Sequence, residues 1–269
     1  MNIFYFHISM EIILLFLVLL LAFLLFSTST SGYTTNRTIY IIRDHLCDQR
    51  MKDLWSKLIS EFPIEDCYIL FDNTNGALDF AFQEQYKDQI IVQTVDDCKK
   101  KSKYFESMYH STHVSICSAL ENISFDYAWL IESDVYFDGS IKETLKDETD
   151  DDFKATYVED YGPGNTDWVW WNTLSGDIVD TPNDKKGKSL FPVTRYSSRM
   201  VDTMRKSTET SGGFCEVYAP TIAKLNDYKV GNINRDAYIP EMFTFLPTIS
   251  LQNLPKNNDN KMYHKFEAK

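Results

Sequence analysis

The segment Tyr127–Gly139, YAWLIESDVYFDG, joins an apolar run to a cluster of acids. The run from Tyr127 to Ile131 has the make-up of a strand buried in a parallel sheet. It ends abruptly in Glu132, Ser133 and Asp134. Positions two apart in extended chain face the same way, so Glu132 and Asp134 aim at one point and Ser133 spaces them. Open α/β sheets bind ligands just beyond the carboxyl ends of their strands. Two carboxylates there need solvent, a partner or a metal, because a buried unpaired charge is costly. The arrangement suits a hard divalent cation, Mn²⁺ or Mg²⁺, carrying a phosphorylated ligand. Asp138 lies close by in sequence. The plainer use of the same acids is to cap a strand and its loop.

Other residues could join this chemistry. Gly212-Gly213-Phe214-Cys215-Glu216 sets a carboxylate behind two glycines that would let backbone approach a ligand closely. His264 sits near the C-terminus with Lys265 beside it, and Arg43 and Asp72 stand at the ends of apolar runs. Trp168, Trp170 and Trp171 fall within four residues. They would stack on sugar faces or pack in a core. In extended chain, Trp168 and Trp170 would face one way and Trp171 the other. His110 and His113 share a helix face but have no acid adjacent to them.

The spacing of apolar residues predicts the elements that position these groups. Thr38–Arg43, Asp66–Asp72, Gln89–Val95 and Tyr127–Ile131 are expected strands. Gln49–Glu61 has helical spacing through Met51, Leu54, Trp55, Leu58 and Ile59, and Ser107–Leu120 is a second expected helix. Strand and helix alternate at βαβ spacing, which predicts an α/β fold: a Rossmann-like, mostly parallel sheet flanked by helices. No GxGxxG follows the first strand and no Walker A sequence occurs, so the usual dinucleotide and P-loop signatures are missing. Past Gly139, the acidic run Asp147–Asp152 reads as a solvated loop or a helix end. Leu190–Tyr196 reads as a strand, Ser197–Lys206 as a helix, and Pro220 as the opening of a helix through Leu225.

The net charge of −12 argues against a nucleic-acid partner held on a basic surface. It leaves room for a nucleotide bound through a metal, itself the local positive charge. Ile12–Phe26 is an unbroken apolar run, and with the preceding residues it reaches the ~20 that a membrane span needs. The expected layout is a short tail (1–10), a transmembrane signal-anchor (11–27), a polar linker (28–37) and one catalytic domain (38–269). A cleaved signal peptide is the alternative. Two sequons, at Asn36 and Asn122, favour the lumen, whereas the Lys and Arg placement around the span does not. The five cysteines match no zinc spacing. Cys47–Cys67 and Cys98–Cys117 are bridge candidates, with free buried thiols the alternative.

WLIESDVYFDG resembles the D-x-D motif, in its E-x-D form, of GT-A-fold glycosyltransferases. It is more closely similar to a W-x-I-E-x-D-V-x-F-T-G pattern of glycosyltransferase-like proteins from algae and fungi. Three later blocks extend the similarity: LFPVTRYSSRMVDTM (Leu190–Met204), GGFCEVYAPT (Gly212–Thr221) and MYHKFEAK (Met262–Lys269). Residues 38–126 match only in their strand–helix rhythm. The resemblance implies a GT-A-like fold with a nucleotide-sugar half (38–139) and an acceptor half (140–269). It implies a metal on Asp134 and His264, and a nucleotide-sugar donor on Arg43, Asp72, Glu132, Ser133, Gly213 and Lys265. It further implies Glu216 as the base of an inverting transfer to a glycan, protein or lipid, with Trp168, Trp170 and Trp171 on the acceptor side. The layout resembles Golgi transferases with a lumenal catalytic domain. A metal-dependent hydrolase or nucleotidyltransferase would use the same carboxylates. A membrane-tethered carbohydrate-binding protein or a degenerate transferase would bind without turnover.

Overall fold

Strand β1 (Thr38–Asp44) pairs in parallel with β2 (Cys67–Asp72), and β2 with β3 (Ile90–Gln93). On its other side β1 pairs in parallel with β4 (Tyr127–Glu132). The computed structural model describes residues 36–243, 249–250 and 257–267. The expected membrane segment, residues 11–27, lies outside them. Among the described residues no helix is long and apolar enough to cross a membrane.

The chain continues through β5 (Tyr136–Asp138), β6 (Phe153–Asp160), β7 (Ser175–Gly176), β8 (Gly187–Ser197), β9 (Ser211–Gly212), β10 (Val230–Asn232) and β11 (Tyr238–Phe243). The last strands are β12 (Ile249–Ser250), β13 (Lys261–His264) and β14 (Phe266–Glu267). The main sheet has seven strands in the order β10-β6-β8-β4-β1-β2-β3. Only β8 runs against its neighbours, antiparallel to both β4 and β6. A second sheet, β11-β13-β5, brings β13 beside the segment that follows β4.

Both faces of the main sheet are covered, as the apolar runs demand. Ile39, Ile41, Ala128 and Leu130 pack on one side with the helices Thr112–Ala119, Ser198–Ser207 and Cys215–Leu225. Ile42, Trp129 and Ile131 pack on the other with Met51, Leu54, Trp55 and Leu58 of the Gln49–Glu61 helix. That helix is amphipathic as its spacing predicts, and Asp48 caps its start by accepting from Met51 N–H.

Several expectations are corrected. Pro220 does not open a helix; it lies inside Cys215–Leu225. A proline there has no N–H for the carbonyl four residues back, that of Glu216. Ser189 Oγ on β8 donates to that carbonyl instead, at 3.4 Å. The expected helix from Ser107 begins only at Thr112, because 107–111 form turns closed by Ser107. The tryptophans lie not on extended chain but on a 3₁₀ turn, Val169–Thr173. With three residues per turn, Trp168 and Trp171 share a side and meet edge-on at 5.2 Å. All five cysteines are free and buried, so neither bridge candidate forms.

Candidate active site

Asp44, Asp72 and Glu132 are the last residues of β1, β2 and β4. A cavity of 870 Å³ opens where these parallel strands end. Arg43, Asp72, Glu132, Ser133, Asp134, His264 and Lys265 all line it. Residues from both ends of the described chain thus converge on the acids of YAWLIESDVYFDG.

Strand register explains the first contact. Arg43 and Glu132 are partners across β1 and β4. Side chains at paired positions project from the same face of a sheet. Arg43 Nη1 meets Glu132 Oε1 at 2.7 Å, and its Nη2 donates to Met108 O at 2.6 Å. Burial pushes the Glu132 carboxyl above its ordinary range; Arg43 opposes that and Asp134 adds to it.

Ser133 is more than a spacer. Its N–H donates to Arg43 O at 3.1 Å and its Oγ to Asp44 Oδ1 at 2.8 Å. Asp44 is buried, and its Oδ2 receives no hydrogen bond among the described residues. Arg50, from the first turn of the Gln49–Glu61 helix, donates to Ser133 Oγ at 3.4 Å.

His264 arrives by a separate device. β13 pairs antiparallel with β5, Lys261 opposite Asp138 and Tyr263 opposite Tyr136. Continuing that register by one residue sets His264 beside the Asp134–Val135 corner. His264 Nε2 lies 3.4 Å from Asp134 Oδ1, and the imidazole is buried. Burial works against ionisation of Asp134, but His264, Arg50 and Lys265 outweigh it and hold the carboxyl below its ordinary range. Asp138 does not reach the cavity. Its Oδ2 accepts the N–H groups of Asn257 and Asn258, both at 2.9 Å, so it anchors the approach to β13. Gly139, at φ +94°, completes that anchor: a Cβ there would stand 2.4 Å from Asn260 Oδ1.

One ligand atom each from Glu132, Asp134 and His264 lie within 4.8 Å of one another. Two carboxylate oxygens and an imidazole nitrogen form a donor set that fits Mn²⁺ or a similar divalent ion. They leave coordination positions for the oxygens of a ligand.

The remaining predicted residues lie elsewhere. Glu216, in the first turn of Cys215–Leu225, is buried and does not line the cavity. Its Oε1 accepts Phe191 N–H at 3.2 Å. Burial drives its carboxyl up to about 8, with Phe191 N–H opposing and Glu132 reinforcing. The two glycines before it meet protein rather than open space: a Cβ on Gly212 would lie 2.5 Å from Tyr104 Cβ, and one on Gly213 3.1 Å from Leu174. Trp168, Trp170 and Trp171 also lie outside the cavity lining. Trp171 is buried, and its Nε1 donates to Asn165 O. Trp170 stacks on Phe214 at 4.5 Å. His113 is buried and stacked on Tyr218, whereas His110, contrary to expectation, has an acid beside it: its Nδ1 lies 3.5 Å from Glu106 Oε2.

Arg50 and Tyr109 are among the cavity residues not singled out in the sequence. The available signal for Arg50 was a helix N-terminus following the first strand at βα-loop distance. Tyr109 carried none, because it reads as one more residue of an expected helix.

Neither a protein-family model nor a curated protein sequence matches the chain. Among solved structures it is similar to S. aureus TarS residues 1–349 in complex with UDP-GlcNAc. The TM-score is 0.42 at 14% identity, over 74% of this chain and 56% of that one. It is similar to glucosyl-3-phosphoglycerate synthase from Mycobacterium tuberculosis, in complex with Mn²⁺, UDP and phosphoglyceric acid. There the TM-score is 0.40 at 9% identity, over 74% of this chain and 68% of that one. It is also similar to the bifunctional glycosyltransferase WbbM, with TM-score 0.43 at 8% identity, over 77% of this chain and 41% of that one.

Proposed function

We propose that this chain is a metal-dependent glycosyltransferase of the GT-A type, moving a sugar from a nucleotide-sugar donor to a glycan, protein or lipid. The observation that carries the reading is the convergence of Glu132, Asp134 and His264 on the wall of an 870 Å³ cavity at the carboxyl ends of parallel strands. That is where an open α/β sheet receives a nucleotide.

Asp134 and His264 would hold the cation, with Glu132 as third ligand or as an acceptor for ribose or metal-bound water. When bound, the ion supplies positive charge against a departing diphosphate. Arg50 and Lys265 add fixed positive charge on the same wall. Arg43 holds Glu132 in place, and Asp44 and Asp72 offer acceptors to the nucleoside. Glu216 is the base in an inverting transfer: it takes the acceptor hydroxyl proton as that oxygen attacks the anomeric carbon. An N-terminal anchor would place this domain in the lumen of the endomembrane system. Asn122 is exposed, so glycosidase-sensitive modification at its sequon would test that orientation.

The test is a screen of nucleotide-sugars for Mn²⁺-dependent thermal stabilisation. A ligand at about 100 times its Kd adds ~2.7 kcal/mol to the native state. A hit that vanishes in Asp134→Ala, and product analysis showing a new glycosidic linkage, would establish the reading. Free sugar as the only product would indicate a hydrolase instead. Full transfer activity in folded Asp134→Ala would overturn the assignment.

A further inference from the structure

Phe214, the residue before the Cys215–Leu225 helix, is buried, and aromatic rings from two other segments gather on it. Trp170 stacks on it at 4.5 Å, the His110 ring lies 5.2 Å away and the Tyr109 ring 5.6 Å. His110 and Trp170 also meet edge-on at 5.8 Å. Hydrogen bonds fix the three segments to one another. Phe214 N–H donates to Thr173 Oγ1 at 2.9 Å, and that hydroxyl donates to Trp170 O at 2.7 Å. Cys215 N–H donates to His110 O at 2.9 Å. Phe214 is thus the base of a held aromatic shelf. The shelf begins at Tyr109 on the cavity wall and ends at Trp170 outside it. Tyr109 is 56% exposed, Val169 beside Trp170 is 70% exposed, and Trp170 keeps part of its surface open.

We propose that Tyr109, Trp170 and the Glu106–His110 pair form a subsite for a neutral sugar ring, so that the acceptor is a glycan rather than a protein or lipid. A pyranose has a face of C–H groups and a rim of hydroxyls. Aromatic rings suit the first, and a carboxylate beside an imidazole suits the second. Glu106 Oε2 stands 3.5 Å from His110 Nδ1, and the Glu106 side chain is largely exposed. A hydroxyl-accepting group therefore stands at the edge of the shelf. An apolar lipid tail laid there would desolvate that carboxylate without return. Charge sets the kind of sugar. Glu106 is on the shelf and Asp167 adjoins the tryptophans, both exposed, whereas Lys188 is already paired with Glu159 at 3.0 Å. With a net charge of −12 behind them, an anionic sugar is disfavoured.

The three tryptophans divide on this basis. Trp171 is buried, and Trp168 carries the Lys188 ammonium 5.5 Å from its ring. Trp170 is the one of the three that meets His110. Its turn and the 106–110 turn are both bonded to the start of one helix, so a sugar would find its contacts already arranged, which lowers the ordering cost of binding. Tyr109 joins the shelf to the cavity, and a glycan lying on the shelf leads past it toward the acidic motif. That the bound glycan is an acceptor rests on the transferase reading; that the shelf binds a sugar does not.

The experiment is saturation-transfer difference NMR on the full chain without nucleotide or metal. The probes are tetrasaccharides of glucose, mannose, galactose and N-acetylglucosamine, with tetragalacturonate as the anionic probe. At least one neutral tetrasaccharide should bind, and more tightly than tetragalacturonate. Tyr109→Ala and Trp170→Ala should each weaken that binding by about five- to tenfold, the worth of one stacked ring. Trp170→Phe keeps a ring on Phe214 and should lose less. Glu106→Ala should also weaken binding. Tyr109 and Glu106 are exposed, so their variants keep the fold even where Trp170→Ala does not. No binding of any neutral probe, tighter binding of tetragalacturonate, or unchanged binding in both Tyr109→Ala and Glu106→Ala would overturn the proposal. Transfer to a peptide or lipid with no sugar bound would sink the shelf and keep the transferase. Sugar binding in the expected order with no transfer from any nucleotide-sugar would uphold the shelf and sink the transferase reading.

Discussion

Arg43 and Glu132 occupy matched positions on neighbouring parallel strands and join at 2.7 Å where those strands end. The pair ties the end of β1 to the acidic motif. Removing one partner of a buried ion pair leaves the other charge uncompensated, a loss of ~3–5 kcal/mol when burial is complete. Here both side chains keep some exposure, 16% and 21%, so the loss is smaller. Arg43→Met should destabilise the fold by roughly 2 kcal/mol in urea denaturation at pH 7. Adding Glu132→Gln should recover part of that loss. An additive double variant would mean the contact contributes nothing.

In the proposed metal site, Glu132, Asp134 and His264 would supply ligands from two remote segments. Asp134→Ala or His264→Ala should weaken Mn²⁺ binding by at least ~10-fold in titration calorimetry, since each removes a direct ligand. Asp138→Ala should act more mildly and by another route, by loosening the 257–258 anchor that carries β13. Its signature is a lower Tm together with weaker binding. A loss of binding at unchanged Tm would place Asp138 among the ligands.

Glu216 retains its proton up to about pH 8, whereas an unfolded glutamate releases it near ~4.3. Between those values the folded state binds more protons than the unfolded one, so stability falls as pH rises. Glu216→Gln cannot ionise and should lose this slope. It should exceed wild type at pH 8 by up to a few kcal/mol, while abolishing transfer. Parallel stability curves for the two proteins between pH 5 and 8 would mean that Glu216 ionises normally.

His113 has the opposite dependence. Burial, with His110 adding to it, lowers its titration to about 3, against ~6.5 in the unfolded chain. Between those values the unfolded state binds the extra proton, so stability is full above pH 6.5 and is lost as pH falls toward 3. His113→Phe retains the ring stacked on Tyr218 and removes the titrating group. Its stability should therefore drop less than that of wild type between pH 7 and 4, measured as the change in urea midpoint.

Ser189 replaces the helix bond that Pro220 cannot make to the Glu216 carbonyl. Ser189→Ala should cost about 1 kcal/mol, the usual worth of a buried hydrogen bond. In a Pro220→Ala background a backbone N–H becomes available to that carbonyl, and the same substitution should cost measurably less. Equal costs in both backgrounds would rule out the compensation.

Local pattern carried the strand–helix alternation of residues 38–132 and the ends of its strands. Buried parallel strands must be apolar and a covering helix must be striped, and both constraints act over a few neighbours. The same locality made Glu132 and Asp134 visible, since charge directly after a buried strand is conspicuous in any context. It misled where a neighbour in space decided the outcome. Pro220 reads as a helix start unless Ser189 is known to satisfy the freed carbonyl. The tryptophans read as alternating until their turn type is known.

The sequence by itself determined that this chain builds an α/β sheet with carboxylates at a strand end, because residue type and periodicity impose that wherever the segment lies. Only the tertiary structure decided which distant residues join them. Strand register set Arg43 against Glu132, and the Asp138 anchor with the β5–β13 pairing returned His264 to Asp134. Packing of the Cys215–Leu225 helix against β8 withdrew Glu216 from the cavity and set its Oε1 on Phe191 N–H. Each of these is a contact between residues dozens of positions apart, chosen by how whole elements fit together, and no local pattern encodes it.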